Sequence, residues 1–201
     1  MNRRMPIKSY GAKMKALKTL AAAILLTCGM ASASLANPNE LTIQLKDGPV
    51  VIQLMPEVAP KHVERIKQLA AKGEYDNVAF HRVIEGFMAQ TGDVQYGNME
   101  KNFQPAQAGM GGSSLPDVPA EFSNVPFERG VIGMARSQDP NSANSQFFIM
   151  FAPRDFLNGQ YTVVGKVVSG MENVDKIKRG DQDNNGSVAD PDRMIKVTVG
   201  Q

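Results

Sequence analysis

The chain has no tryptophan, one cysteine and two histidines among its 201 residues. A single thiol, Cys28, excludes an internal disulfide. The two histidines, His62 and His81, fall on separate predicted elements, and Ser113 and Ser114 sit in no motif that ties them to a base. A serine hydrolase is therefore a distant reading. Glycines 109, 111 and 112 lack the lysine and the helix that a phosphate-binding loop needs. The apolar stretch Thr19–Leu26 is too short to span a bilayer. Acidic residues are missing altogether from the first 36 positions.

Those 36 positions hold Arg3, Arg4, Lys8, Lys13, Lys15 and Lys18, then the apolar stretch, then the small residues Ala31, Ser32, Ala33, Ser34 and Ala36. Positive, apolar, small is the order of a secretory signal peptide. Residues 1–36 are read as one, with cleavage expected after Ala36 and Ala31-Ser32-Ala33 as the other candidate site. A more compact signal would start at Met14; an uncleaved anchoring helix is the alternative. Thr27 before Cys28 makes a poor lipidation site, and Pro6 weakens a faint twin-arginine pattern. The remainder, 37–201, has 16 basic and 20 acidic residues, a net charge of −4 against +2 for the whole chain. The basic balance belongs to the leader, so nucleic-acid binding is not expected. A periplasmic location is expected. The exported part carries no thiol to mispair there.

Along the exported part, Leu41–Leu45 alternates apolar and polar, Asp47-Gly48 signals a turn, and Val50–Leu54 returns. Pro60 opens a helix with Val63, Ile66, Leu69 and Ala70 on its buried stripe, ended by Gly73. Residues 94–120 lack periodicity, and a loop that long inside one domain is usually functional or mobile. Strands are predicted at 130–136, 146–151, 161–168 and 194–199, one helical turn at 153–157, and a helix at 171–178. There is no internal repeat and no linker, which points to one domain. Asp181-Gln182-Asp183-Asn184-Asn185-Gly186, running on to Asp192, has the spacing of a calcium loop. A strand rather than a helix follows it, so an Asx/Gly turn is the favoured reading.

The chain is organised around Phe80-His81-Arg82-Val83-Ile84-Glu85-Gly86-Phe87-Met88-Ala89-Gln90-Thr91-Gly92-Asp93. Glu85-Gly86 interrupts two β-favouring runs. A three-residue loop over Glu85–Phe87 sets Arg82 opposite Gln90, and period-two alternation puts both on one face with Met88. The product is a fixed guanidinium and a fixed amide beside an apolar patch. No nucleophile–base pair and no metal-ligand cluster accompanies them, which suits a substrate whose amide bond rotates rather than breaks.

This stretch resembles the signature of the cyclophilins, the peptidyl-prolyl cis–trans isomerases. Gly133-Met134-Ala135-Arg136, Asn144-Ser145-Gln146-Phe147-Phe148-Ile149, Phe156-Leu157-Asn158-Gly159-Gln160-Tyr161 and Val164-Gly165-Lys166-Val167 extend the resemblance over roughly residues 40–199. The whole looks most like the bacterial secreted branch. The fold so implied is all-β: a closed eight-stranded antiparallel barrel capped by two α-helices. Closure is also what many short strands suggest; the count of eight comes from the resemblance.

An X–Pro bond turns slowly because amide resonance raises a barrier of ~18–20 kcal/mol. A donor aimed at the prolyl nitrogen stabilises the twisted amide more than the planar one. Arg82 is the candidate donor, charged at any relevant pH. Gln90 is expected to hold a substrate carbonyl and support Arg82. Phe87, Met88, Phe148 and Leu157 are expected to wall a proline pocket. The resemblance adds Ala135, Arg136, Gln146, Phe156 and Tyr161 as peptide contacts. His81 points away from Arg82 by alternation and is read as structural. No cofactor and no metal are expected, and the partners are unfolded or partly folded proline-containing chains met by a monomer. The principal rival is a proline-recognition module or chaperone with the same groove and little turnover.

Three positions depart from the commonest eukaryotic pattern of the family: Phe156 in place of tryptophan, Tyr161 in place of histidine, Arg136 in place of asparagine. Phe156 lacks the indole N–H that would donate to a ligand carbonyl. Cyclosporin-type inhibitors are therefore expected to bind weakly while isomerase activity persists. Nanomolar inhibition of the purified protein would overturn this.

Overall fold

The structure is a computed structural model that describes residues 1–2 and 37–200. The apolar run and cleavage site of the expected leader lie outside the described residues. Strand β1 (Glu40–Leu45) and strand β2 (Gly48–Leu54) form the first hairpin. Leu45 pairs with Gly48, so the loop is Lys46-Asp47, one residue earlier than the turn signal suggests.

Helix α1 (Pro60–Ala71) buries the stripe Val63, Ile66, Leu69 and Ala70, and also His62. Its first turn accounts for every backbone donor. Pro60 has none, and Val63 N–H reaches Ala59 O at 3.0 Å. Ala59 offers no capping side chain. Glu121 supplies the cap from 59 residues away: its carboxylate accepts from Lys61 N at 3.2 Å and from His62 N at 3.1 Å. The same carboxylate meets His62 Nδ1 at 2.7 Å. A carboxylate here also lies at the positive end of the helix dipole. The long loop thus returns to complete a helix that cannot cap itself.

Next come β3 (Val78–Ala79), β4 (Arg82–Ile84) and β5 (Met88–Thr91). After the long irregular stretch follow β6 (Val131–Met134), β7 (Phe147–Met150), a 3₁₀ turn at Asp155–Leu157 and β8 (Val163–Ser169). Helix α2 (Met171–Val174) is shorter than the predicted 171–178. Its spiral tightens at once: Lys176 N bonds Asn173 O and Ile177 N bonds Val174 O, three residues back instead of four. Val174 and Ile177 are still buried, as the spacing predicts. A second 3₁₀ turn, Gln182–Asn184, precedes β9 (Arg193–Met194) and β10 (Lys196–Val199).

Among the described residues the architecture is mostly β with two α-helices. Eight strands make one sheet in the order β10-β1-β2-β8-β6-β7-β5-β4. Every pairing is antiparallel. The closed ladder expected from the sequence is not what the pairing records: β10 and β4 are the outermost strands of the sheet, β4 meets beyond it only an isolated bridge from Arg82 to Ser187, and β3 pairs with β9 as a separate ladder. Phe80 N bonds Asp192 O at 2.8 Å in register with the β3–β9 ladder, and Ile195 N, between β9 and β10, bonds Gln44 O of β1 at 2.8 Å.

Burial drives the His62 ring below its ordinary pKa of 6.5, against the raising effect of Glu121. Burial alone would raise the Glu121 carboxyl, but the His62 ring and the His62 and Lys61 N–H groups outweigh it and lower it below 4.5. Both folded values lie below the unfolded ones. Both groups therefore contribute stability at neutral pH that is lost on acidification, His62 from below 6.5 and Glu121 from below 4.5. The melting temperature should fall steadily between pH 7 and pH 4. Glu121→Ala should cost about 1–2 kcal/mol at pH 7, the worth of a helix cap, in chemical denaturation. An unchanged midpoint would remove Glu121 from that role.

Candidate active site

The β4–β5 hairpin has the predicted register: Arg82 opposite Gln90, Val83 opposite Ala89, Ile84 opposite Met88. Its loop is Glu85–Phe87, closed by Phe87 N to Ile84 O at 3.0 Å. Gly86 takes φ +66°, where a side chain would be strained.

Alternation divides the central strands between two packed layers. Val83, Ala89, Ile132, Met134, Phe147 and Ile149 belong to the main core. Met88, Val131, Phe148 and Met150, from the opposite faces of these strands, form a second cluster with Phe127, Leu157 and Val163. Both faces are covered, so these strands are buried along almost their whole length. Phe127 stacks on Phe148 with centroids 5.8 Å apart, and Tyr161 meets Phe148 edge-on at 5.9 Å. Gly133 makes this possible: a Cβ there would lie 2.5 Å from both the Phe127 and Phe148 rings.

Above this floor is a cleft of about 100 Å³ lined by Arg82, Phe87, Met88, Gln90, Ala135, Arg136, Phe148, Leu157 and Tyr161. An apolar cavity of about 150 Å³ holds one benzene ring, so a space of this order suits a single small ring. Two of the sequence-derived candidates stand apart. Gln146 lines an adjoining polar cleft with Gly109, Gly111 and Asn144. Phe156 is 66% exposed and packs beside Phe87, with ring centroids 5.8 Å apart.

Arg82 is held by three hydrogen bonds. Nε donates to Asn185 O at 3.0 Å, Nη2 to Asn185 Oδ1 at 2.9 Å and Nη1 to Gln90 Oε1 at 3.2 Å. Gln90 Nε2 donates to Gln146 Oε1 at 3.0 Å, and Gln146 Nε2 donates to Gly109 O at 3.0 Å and Gly111 O at 2.7 Å. The amide orientations are dictated by the two ends of this relay. A guanidinium only donates and carbonyls only accept, so each glutamine has one way to sit. Burial lowers the Arg82 guanidinium from its ordinary pKa, opposed by Tyr161. It remains charged at any working pH.

Several residues that build the site gave no signal in the sequence reading. Asn185 lies in the stretch read as an Asx/Gly turn. It is a turn: Asp181 Oδ1 accepts from Asp183 N at 3.0 Å, and Asn185 takes φ +52°. That left-handed step turns its carbonyl and side chain together onto Arg82. Asp93 is fully buried and accepts four backbone bonds, from Gln95 N, Tyr96 N, Gly109 N and Gly111 N, at 2.7–3.1 Å. It fixes the loop whose carbonyls hold Gln146. Arg154 bonds Gly86 O and lies 5.7 Å from the Phe87 ring centroid, clamping the hairpin tip. His81 is buried, with its pKa lowered mainly by desolvation, and lines the groove that Arg82 and Gln90 also line. The arrangement offers hydrogen-bond donors and apolar walls. A bound amide would find a cation and an amide on one side and rings on the other.

The model of the family described as cyclophilin type peptidyl-prolyl cis-trans isomerase matches residues 40–199. A Brucella suis protein described as "Probable peptidyl-prolyl cis-trans isomerase" is 61% identical over 89% of this chain and 92% of its own length. A peptidyl-prolyl cis-trans isomerase of Dictyostelium discoideum is 35% identical over 79% of this chain and 96% of its own. Among solved structures, a Cryptosporidium parvum cyclophilin crystallised in the presence of the dipeptide Ala-Pro superposes with TM-score 0.68 and 27% identity, covering 81% of this chain and 99% of that one. A cyclophilin of Hirschia baltica superposes with TM-score 0.66 and 26% identity, over 81% and 74%.

Asn185→Ala removes one of the three bonds that fix Arg82. The Arg82 side-chain signal in NMR should move toward that of a free arginine, with a stability loss of about 1.5–3 kcal/mol at most. An unshifted signal would mean that Gln90 and the Asn185 carbonyl hold the guanidinium unaided.

Proposed function

The chain belongs to the cyclophilin-type peptidyl-prolyl cis–trans isomerases, and from that premise we propose that Arg82 is the group that lowers the barrier to rotation about the X–Pro bond. The chain is a peptidyl-prolyl isomerase, and its substrates are proline-containing peptides. As the amide twists, its nitrogen gains basicity, and a donor already fixed in place stabilises that state without reorganising. The observation that carries this role is the tethering of the Arg82 guanidinium at the edge of the ring-lined cleft by Gln90 and Asn185. In this reading Phe87, Met88, Phe148 and Leu157 receive the proline ring, and their exclusion of water strengthens the donor. Gln90 keeps one amide proton free for a substrate carbonyl after serving Gln146. Ala135, Arg136, Gln146, Phe156 and Tyr161 contact the flanking peptide. Rotation makes and breaks no covalent bond, so no general base is needed and His81 has no part in it.

The wider role is of the same kind. Residues 1–36 are a secretion signal, residues 37–201 are the isomerase domain, and the domain works in the periplasm as a monomer on partly folded exported chains. The basic–apolar–small order of the leader and the absence of cysteine from 37–201 support this. The sheet closes into a barrel through the short β3–β9 ladder, since β3 leads into β4 and β9 into β10, the two outermost strands.

Exchange NMR on an X–Pro peptide reads rotation directly. Wild type should accelerate it. Arg82→Ala should lower kcat/KM by about a hundredfold, the scale for loss of one preorganised donor, while peptide affinity changes far less. Equal rates in the two proteins would exclude Arg82 as that donor.

A further inference from the structure

The clefts around the relay carry charge of one sign. None of the residues lining the proline cleft, the adjoining polar cleft beyond Arg136, or the groove on the other side of Arg82 is a carboxylate. Arginines 82, 136 and 154 stand at or beside these clefts. Among the described residues none of the three is in an ion pair. Each is held by neutral acceptors instead. Arg136 donates from Nη1 to Ser137 O at 2.8 Å and from Nη2 to Gln160 O at 3.0 Å. Its guanidinium lies 4.4 Å from the Tyr161 ring centroid. This concentration occurs on a domain whose net charge is −4, with 16 basic residues against 20 acidic. Cations left without a carboxylate partner at these clefts attract anionic segments locally, against the net negative charge of the rest.

Arg136 is the residue placed to read that charge. It lines both the proline cleft and the polar cleft next to it. A peptide with its proline ring in the first must pass Arg136 to enter the second. The second is walled by uncharged polar groups, Ser137, Ser142, Asn144 and Gln146 among them. A carboxylate there would meet the Arg136 cation and no carboxylate in the lining itself; Asp93 and Asp117 stand behind the wall, committed to Gly109, Gly111 and Asn144. The cation stays in place because stacking on Tyr161 and bonds to the carbonyls of Ser137, Gln138 and Gln160 hold it. We propose that this isomerase favours prolines with an aspartate or glutamate within three residues, and that Arg136 is the specificity-determining residue. The inference rests on the isomerase reading above and deepens it by naming the substrate class.

The test is exchange NMR, at low salt, on X–Pro peptides carrying Glu, Gln or Lys in turn at each of the three positions on either side of the proline. At one or two of these positions on one side, wild type should favour Glu over Gln by about threefold or more, and disfavour Lys. That is the scale of a partly exposed ion pair. The preference should shrink as ionic strength rises and the Debye length shortens. Arg136→Gln should abolish the Glu/Gln ratio, and Arg136→Lys, which keeps the charge, should retain most of it. Equal rates on all peptides in wild type, or a Glu preference that survives in Arg136→Gln, overturn the proposal while leaving the isomerase reading intact. Failure to accelerate any peptide, neutral ones included, would instead count against that reading itself. The wild-type peptide series and its salt dependence decide the matter even if a variant folds poorly.

Discussion

The site depends on a guanidinium held in place without being neutralised. Arg82 is half-buried, and a desolvated cation must be hydrogen-bonded to persist. A carboxylate partner would satisfy it at the cost of cancelling its field. Asn185 and Gln90 satisfy it with carbonyl oxygens instead. Position is fixed and charge is left available, which is what electrostatic stabilisation of a twisted amide requires.

That arrangement reaches far beyond the hairpin. Gln90 is oriented by Gln146, Gln146 by the carbonyls of Gly109 and Gly111, and those residues by the buried carboxylate of Asp93. The irregular segment after β5 is therefore part of the machinery. It anchors the polar relay at one point and, through Glu121, caps α1 at another. A loop with little secondary structure is held by side-chain acceptors that use its backbone N–H groups.

Period-two alternation supplies the platform. The same strands feed the main core with one face and the floor of the cleft with the other. Apolar burial on both sides makes the floor rigid, and Gly133 lets Phe127 and Phe148 stack on it. Rigid walls beneath a tethered cation give the small cleft one fixed apolar side and one fixed charged side.

Local physics was legible in the sequence. The Arg82–Gln90 register followed from a three-residue turn and a two-residue period, and the α1 stripe followed from helical spacing. The family resemblance rested on ordered blocks in the same way. What stayed hidden involves residues distant in the chain. Asn185 reaches Arg82 across 103 positions, and Glu121 reaches His62 across 59. No periodicity encodes either meeting. The shortness of α2 is a choice between local geometries of similar energy, its last amides bonding three residues back instead of four. Sequence by itself determined which faces are buried and which side chains share a strand face, because those depend on neighbours a few residues away. Only the tertiary structure decided which groups hold the cation and which loop caps the helix, because those bonds form after the chain has closed on itself.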